Sequence, residues 1–296
     1  MYDIKRLKDC TFTEINSVWN KAFSNYSFNF SMSVDQIGFM IGKRELSPQH
    51  SVVIFDQEKP VGFLLTSIKL INGFKMAWNG GTGISPQYQG RGLGNILMEE
   101  MGNIYRIEGV ELATLEVLKS NKGAIKLYEK YGYIKEDTLT VLKLEESPSR
   151  LNALETITKG YKVQLGSASD AKNITFYNHD VAWSSRFENV QNGRTVMIKD
   201  AKGIIIGYAI FNEYTRINGE LNIMLHQCEI SKNVVDKRIV LELFIGSIYQ
   251  LVDNKLADLQ TGDFTSSTEE VIPLLKEIGF KTIAERYIMN VKLSHL

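Results

Sequence analysis

Gln89-Gly90-Arg91-Gly92-Leu93-Gly94 follows Ile84-Ser85-Pro86 and runs into a segment whose apolar residues Leu93, Ile96, Leu97, Met101, Ile104 and Tyr105 share one helical face. The spacing predicts a strand, a glycine loop and a core helix. Such a loop suits phosphate. The first-turn N–H groups of a helix lack intrahelical partners and carry partial positive charge. Glycine tolerates positive φ and puts no Cβ between those amides and an anion. Arg91 adds a fixed guanidinium beside them. Gly90, Gly92 and Gly94 alternate, unlike the dinucleotide fingerprint, and the chain has no Gly-Lys-Ser/Thr of a P-loop. Taken alone, the cluster also fits a tight turn before a core helix.

A second segment follows. Residues 112–118 read as a short buried strand, with Glu116 on the face of Thr114 and Leu118, opposite Ala113, Leu115 and Val117. Ser120 or Asn121 is suited to cap the next helix. Ala124, Leu127, Tyr128 and Tyr131 form its apolar stripe, and Gly132 ends it before a new strand at Tyr133.

Together the two segments resemble the GCN5-related N-acetyltransferase (GNAT) family. Its signature Gln/Arg-x-x-Gly-x-Gly/Ala is matched by Gln89, Gly92 and Gly94. Its later signature is matched by Asn121 and Leu127-Tyr128-Glu129-Lys130-Tyr131-Gly132-Tyr133. The resemblance covers roughly the first half of the chain, most firmly residues 50 to 145. It implies a mixed α/β fold with a twisted sheet that splays at its centre around acetyl-CoA. The pyrophosphate would rest on Gln89, Gly90, Arg91, Gly92, Leu93 and Gly94 and on the first helical turn, including Asn95. The backbone of Ile84 and Ser85 would hold the pantetheine arm as an added strand would. Asn121 and Tyr128 would face the thioester.

The implied reaction is direct attack of an amine on the acetyl carbonyl. The amine must lose a proton and the leaving thiolate needs a donor. Tyr128 suits the donor role, and Glu116 the base, through a water. The ribosomal-protein N-terminal acetyltransferases of the family carry these roles on a Leu-Glu-Val strand, an Asn and a Tyr, in the order of Leu115-Glu116-Val117, Asn121 and Tyr128 here. The other readings are a core aromatic for Tyr128 and a satisfied structural carboxylate or ion-pair partner for Glu116. Just before the loop, Trp78-Asn79-Gly80-Gly81-Thr82-Gly83-Ile84 puts glycines inside a strand, which marks a bulge. In the family such a bulge frees an N–H for the acetyl carbonyl, here somewhere from Asn79 to Thr82.

The chain of 296 residues has 34 basic and 34 acidic residues, which gives no electrostatic case for nucleic acid or an acidic membrane. Apolar residues make up 44%, with no run long enough to span a bilayer and no signal-peptide core at the N-terminus. Cys10 and Cys228 read as free thiols of a cytoplasmic protein, and His50, His179, His226 and His295 have no metal-ligand spacing, so no metal is expected.

After a polar Glu145-Glu146-Ser147-Pro148-Ser149-Arg150 stretch the first half recurs at an offset of about 145 residues. Val61-Gly62-Phe63 corresponds to Ile206-Gly207-Tyr208, Ala113-x-Leu115-Glu116 to Ala257-x-Leu259-Gln260, and Gly132-Tyr133 to Gly279-Phe280. The expected organisation is a tandem GNAT fold, each half a mixed twisted sheet flanked by helices: a catalytic domain over 1–146, a linker over 147–159 and a degenerate copy over 160–296. The copy has Ser231-Lys232-Asn233-Val234-Val235-Asp236 for the glycine loop, Gln260 for Glu116 and Leu275 for Tyr128. Mycothiol synthases show the same tandem layout. Trp19 and Phe23 are expected in the core, whereas Tyr26, Phe28 and Phe30 are candidates for an acceptor pocket. The partner implied is a small-molecule or peptide amine, met by a monomer or homodimer. A non-catalytic acyl-CoA-binding or regulatory module, and an acyl- or aminoacyl transferase with another donor, are the alternatives.

Overall fold

The computed structural model describes residues 2–25, 31–71, 73–145, 160–215, 219–252, 257–268 and 270–293. Its contacts divide the chain into Met1–Glu136 with Tyr287–Leu296, and Asp137–Arg286. The first unit contains β1 (Tyr2–Arg6), α1 (Phe12–Ala22), α2 (Val34–Lys43), β2 (Val52–Asp56), β3 (Lys59–Ile71), β4 (Phe74–Ile84), α3 (Leu93–Ile107), β5 (Leu112–Leu118) and α4 (Lys122–Lys130). The second contains β7 (Lys162–Ser167), β8 (Arg194–Lys199), β9 (Ile205–Thr215), β10 (Leu221–Ile230), α5 (Lys237–Val252), β11 (Asp258–Thr261) and α6 (Val271–Glu277). Strands β6 (Ile134–Leu144) and β12 (Phe280–Lys292) each begin in one unit and end in the other. The division falls inside these two strands; the linker expected over 147–159 lies outside the described residues.

In the first unit β1 to β5 follow one another across the sheet, and the end of β12 lies beside β5. The β3–β4 pairing is an antiparallel hairpin, whereas β4 and β5 run parallel, joined by α3. Capping boxes start α1 (Thr11 with Glu14) and α2 (Ser33 with Gln36). The stripe of α3 buries Leu93, Leu97, Met101, Ile104 and Tyr105 on one face of the sheet, against Ala77, Ala113, Leu115, Met289 and Val291. On the other face Trp19 stacks on Phe63 with ring centres 5.4 Å apart, and Phe23 meets both rings edge-on, as core packing requires. Trp19 is buried and Phe23 half-buried.

The second unit repeats this plan down to its irregularities. In β2–β3 the register shifts between Ile54↔Gly62 and Phe55↔Pro60; in β8–β9 it shifts between Ile198↔Gly207 and Lys199↔Ile205. In β4 the pairs Leu65↔Gly81 and Thr66↔Asn79 leave Gly80 as an extra residue, and in β10 the pairs Ile210↔Gln227 and Phe211↔Leu225 leave His226. Bulges at matching places are hard to reach independently, so the fold is a duplicated one. The register also corrects one equivalence. Asn79↔Leu115 in β4–β5 corresponds to Leu225↔Thr261 in β10–β11, so Gly262, not Gln260, takes the place of Glu116. Among the described residues no helix is long and apolar enough to cross a membrane.

Candidate active site

The glycine loop before α3 is built by two left-handed glycines. Gly90 has φ +74° and Gly92 φ +81°, and a Cβ placed on either would meet nothing within 4 Å. Their glycine identity therefore serves the backbone, and the volume above the loop stays open. Gly94 answers a different need: a Cβ there would lie 2.9 Å from Leu127 Cδ2, so its absence lets α3 pack closely on α4. Gly92 caps α3, and its carbonyl accepts from the Asn95 and Ile96 N–H groups. No acidic residue occupies the first turn of α3. The Arg91 guanidinium lies 5.1 Å from the Tyr88 ring centre, while Tyr88 donates to Asp56. Leu93 is buried and turns its side chain to the core, leaving its backbone for the loop. Asn95 faces α4 instead, with Oδ1 accepting from Lys130 Nζ at 2.6 Å.

The gap above the loop comes from strand divergence. β4 and β5 pair from Met76↔Leu112 to Asn79↔Leu115 and then part. Beyond that point β4 runs on to Ile84 and β5 to Leu118. The Ser85 N–H donates to Val61 O of β3 at 2.9 Å. By the alternation of an antiparallel ladder, Gly83 also faces β3, so the peptide groups of its neighbours Thr82 and Ile84 face the gap. Ile84 O accepts from Gln89 Nε2 at 3.1 Å, and the Gly81 N–H donates to Asn79 Oδ1.

Glu116 is the first residue of β5 past the last strand pair. It is half-buried, and Trp78 Nε1 donates to its Oε2 at 2.6 Å. Tyr128 is buried on α4, its ring centre 5.9 Å from that of Tyr133. Tyr105 lies in the same core and shares a hydrogen bond with Thr66 Oγ1 at 2.7 Å. Burial, then neighbouring tyrosines, drive the Tyr133 hydroxyl far above the ordinary phenol value. For Tyr105 burial again raises it, against a lowering hydrogen bond from Thr66. Asn121 caps α4, its Oδ1 accepting from the Ala124 N–H at 3.1 Å. Tyr26, Phe28 and Phe30 lie outside the described residues. The chain beyond them is anchored at Met32, whose N–H donates to Asn20 Oδ1 and whose carbonyl accepts from Asn16 and Asn20. Sequence reasoning did not anticipate the bond from Trp78 to Glu116 or the bonds of Asn16 and Asn20 to Met32.

The equivalent places in the second unit hold other groups. Asp236 Oδ1 accepts from the Ile239 N–H at the start of α5, so a carboxylate sits at that helix end in place of a glycine loop. A Cβ on Gly262 would lie 3.0 Å from Ser185 Oγ, so that hydroxyl fills the space a side chain would need. Leu275 is fully buried in the apolar core. Glu229, largely buried, accepts from Asn178 and Thr268; burial outweighs these bonds and pushes its carboxyl up to about 7.

The acetyltransferase (GNAT) family profile matches residues 12–133. No curated protein matches the chain. Among solved structures, the GCN5-related glucosamine N-acetyltransferase region of a fungal multi-domain GH3 β-N-acetylglucosaminidase is 17% identical with a TM-score of 0.73, covering 98% of this chain. This chain spans only 38% of that larger one. A tandem GNAT protein of the clavulanic acid biosynthesis pathway is 13% identical with a TM-score of 0.69, covering 99% of this chain and 98% of its own. A GCN5-related N-acetyltransferase from Sphaerobacter thermophilus is 12% identical with a TM-score of 0.67, over 99% and 96%. At these identities the likeness shows the fold, and that fold supports acyl transfer in general. Residues 12–133 therefore form a domain of the GNAT acetyltransferase family, within a chain of the tandem GNAT fold.

Proposed function

We propose that the first unit is an acetyl-CoA-dependent N-acetyltransferase acting on a primary amine of a small molecule or peptide. The observation that carries this reading is the open, positive-φ loop at Gly90 and Gly92, capping α3 beside the β4–β5 gap. Bound acetyl-CoA supplies the activated acetyl group. The loop amides and the Arg91 guanidinium hold its pyrophosphate, and Ile84 offers its gap-facing peptide to the pantetheine arm once Gln89 swings aside. The Thr82 N–H, also gap-facing, polarises the acetyl carbonyl. Glu116 takes the proton of the attacking amine, and Tyr128 gives a proton to the departing sulfur. The nitrogen–carbon bond forms as the carbon–sulfur bond breaks. The second unit does not bind CoA in this manner, because Asp236 supplies a negative charge where a phosphate would sit. The chain works in the cytoplasm, and its partner is the acceptor amine. The glucosamine N-acetyltransferase region among the similar structures supports a small-molecule amine.

Release of free thiol from acetyl-CoA, followed with a panel of amino sugars, amino acids, polyamines and short peptides, tests the reading. Turnover with at least one acceptor is expected. Absence of thiol release across the panel, with acetyl-CoA bound, would favour a non-catalytic acyl-CoA module.

A further inference from the structure

We propose that Trp78 is a positioning residue: its indole N–H holds the Glu116 carboxylate, charged, at the point where β4 and β5 part. The inference rests on the reading of Glu116 as the base. Trp78 pairs across the parallel strands with Thr114, so Glu116 lies two residues further on the same face of β5. Trp78 Nε1 donates to Glu116 Oε2 at 2.6 Å, a short bond of the kind an ionised acceptor makes.

The indole is itself fixed. It is only 5% exposed. A Cβ on Gly80 would come within 2.7 Å of its Cζ3 and 2.6 Å of Leu46 Cδ2, so the bulge peptide lies against the ring where only glycine fits. The Arg44 guanidinium stands 5.9 Å from the ring centre. A cation at the π-face draws density from the ring and makes the N–H a stronger donor. The bulge, the cation and the indole thus act on one carboxylate. Indole nitrogen donates and never accepts, so it favours the charged base without competing for the amine's proton. The bond to Trp78 takes one of the about four acceptor positions of a carboxylate.

The test is a double-variant cycle in the full-length protein. Trp78→Phe keeps the ring and removes the donor. It should lower kcat about tenfold, the size of a lost charge-assisted hydrogen bond, and leave the KM for acetyl-CoA within about twofold. Combined with Glu116→Ala, it should slow the enzyme no further than Glu116→Ala alone. Losses that multiply, or a Trp78→Phe kcat within about twofold of the parent, would overturn the proposal. Full activity of Glu116→Ala would remove the base reading and this inference with it. A second measurement leaves Trp78 in place. The chain has 3 tryptophans, and Glu116→Ala should move one indole N–H proton resonance upfield, the one missing from Trp78→Phe. If that resonance keeps its shift, the bond does not hold in solution and the proposal fails.

Discussion

Replacing Gly92 by alanine separates backbone need from packing need in the glycine loop before α3. Gly92 sits at φ +81°, and a Cβ there touches nothing within 4 Å. The whole penalty is therefore conformational, about 1–2 kcal/mol for a non-glycine residue in the left-handed region. If the loop stays as it is, Gly92→Ala lowers the unfolding free energy by that amount. If the free loop relaxes instead, ligand binding must restore it, and acetyl-CoA binds about five- to thirtyfold more weakly. Gly102 is the control. It lies inside α3 without a positive φ, and its Cβ would also meet nothing within 4 Å. Alanine there should stabilise by about 0.5–1 kcal/mol and leave binding unchanged. Urea unfolding and calorimetric titration of both variants read the two quantities. A Gly92→Ala protein that matches the parent in stability and affinity, or a Gly102→Ala protein that binds as weakly as Gly92→Ala, would refute this.

Three further outcomes follow from the geometry. Tyr128→Phe should lower kcat a hundredfold or more if its hydroxyl is the acid; a loss below about threefold in steady-state assays would make it a core aromatic only. Met289 is fully buried in the first unit's core, so Met289→Ala should cost about 2–5 kcal/mol and weaken acetyl-CoA retention on heating; an unchanged melting midpoint would contradict the assignment of the chain's last strand to that core. Glu229 has a folded-state pKa of about 7 against an ordinary 4.5, so the folded state holds its proton where the unfolded chain has released it. Stability should fall as pH rises from about 4.5 to 7, by at most about 3 kcal/mol, and level off above; Glu229→Gln should remove that slope in denaturant titrations at several pH values, and an unaltered slope would refute it.

The parts of the site that the sequence made legible are those set by neighbours along the chain. Gly90, Gly92 and the Asn121 cap are local devices, and the apolar stripe of α3 follows from helical periodicity. The bulge was visible as a glycine cluster, but its position at Gly80 depends on pairing with β3, fifteen residues away in the hairpin. Partner choice over long range was not legible. The alternating residues of β6 and β12 fit either unit's sheet, and only the folded chain shows Leu142 in the second core and Met289 in the first. The Gln260 equivalence failed for a related reason: aligning similar residues ignored the register of β10 with β11, which places Gly262 there. The Trp78–Glu116 bond links residues 38 apart, and nothing local announces it.

The duplicated chain is expected to hold one donor site, at the glycine loop of its first unit. Calorimetric titration of the full-length protein with acetyl-CoA tests it most directly. One equivalent bound per chain is the predicted result. Two equivalents would contradict the silent second unit, and no binding would contradict the acetyl-CoA site itself.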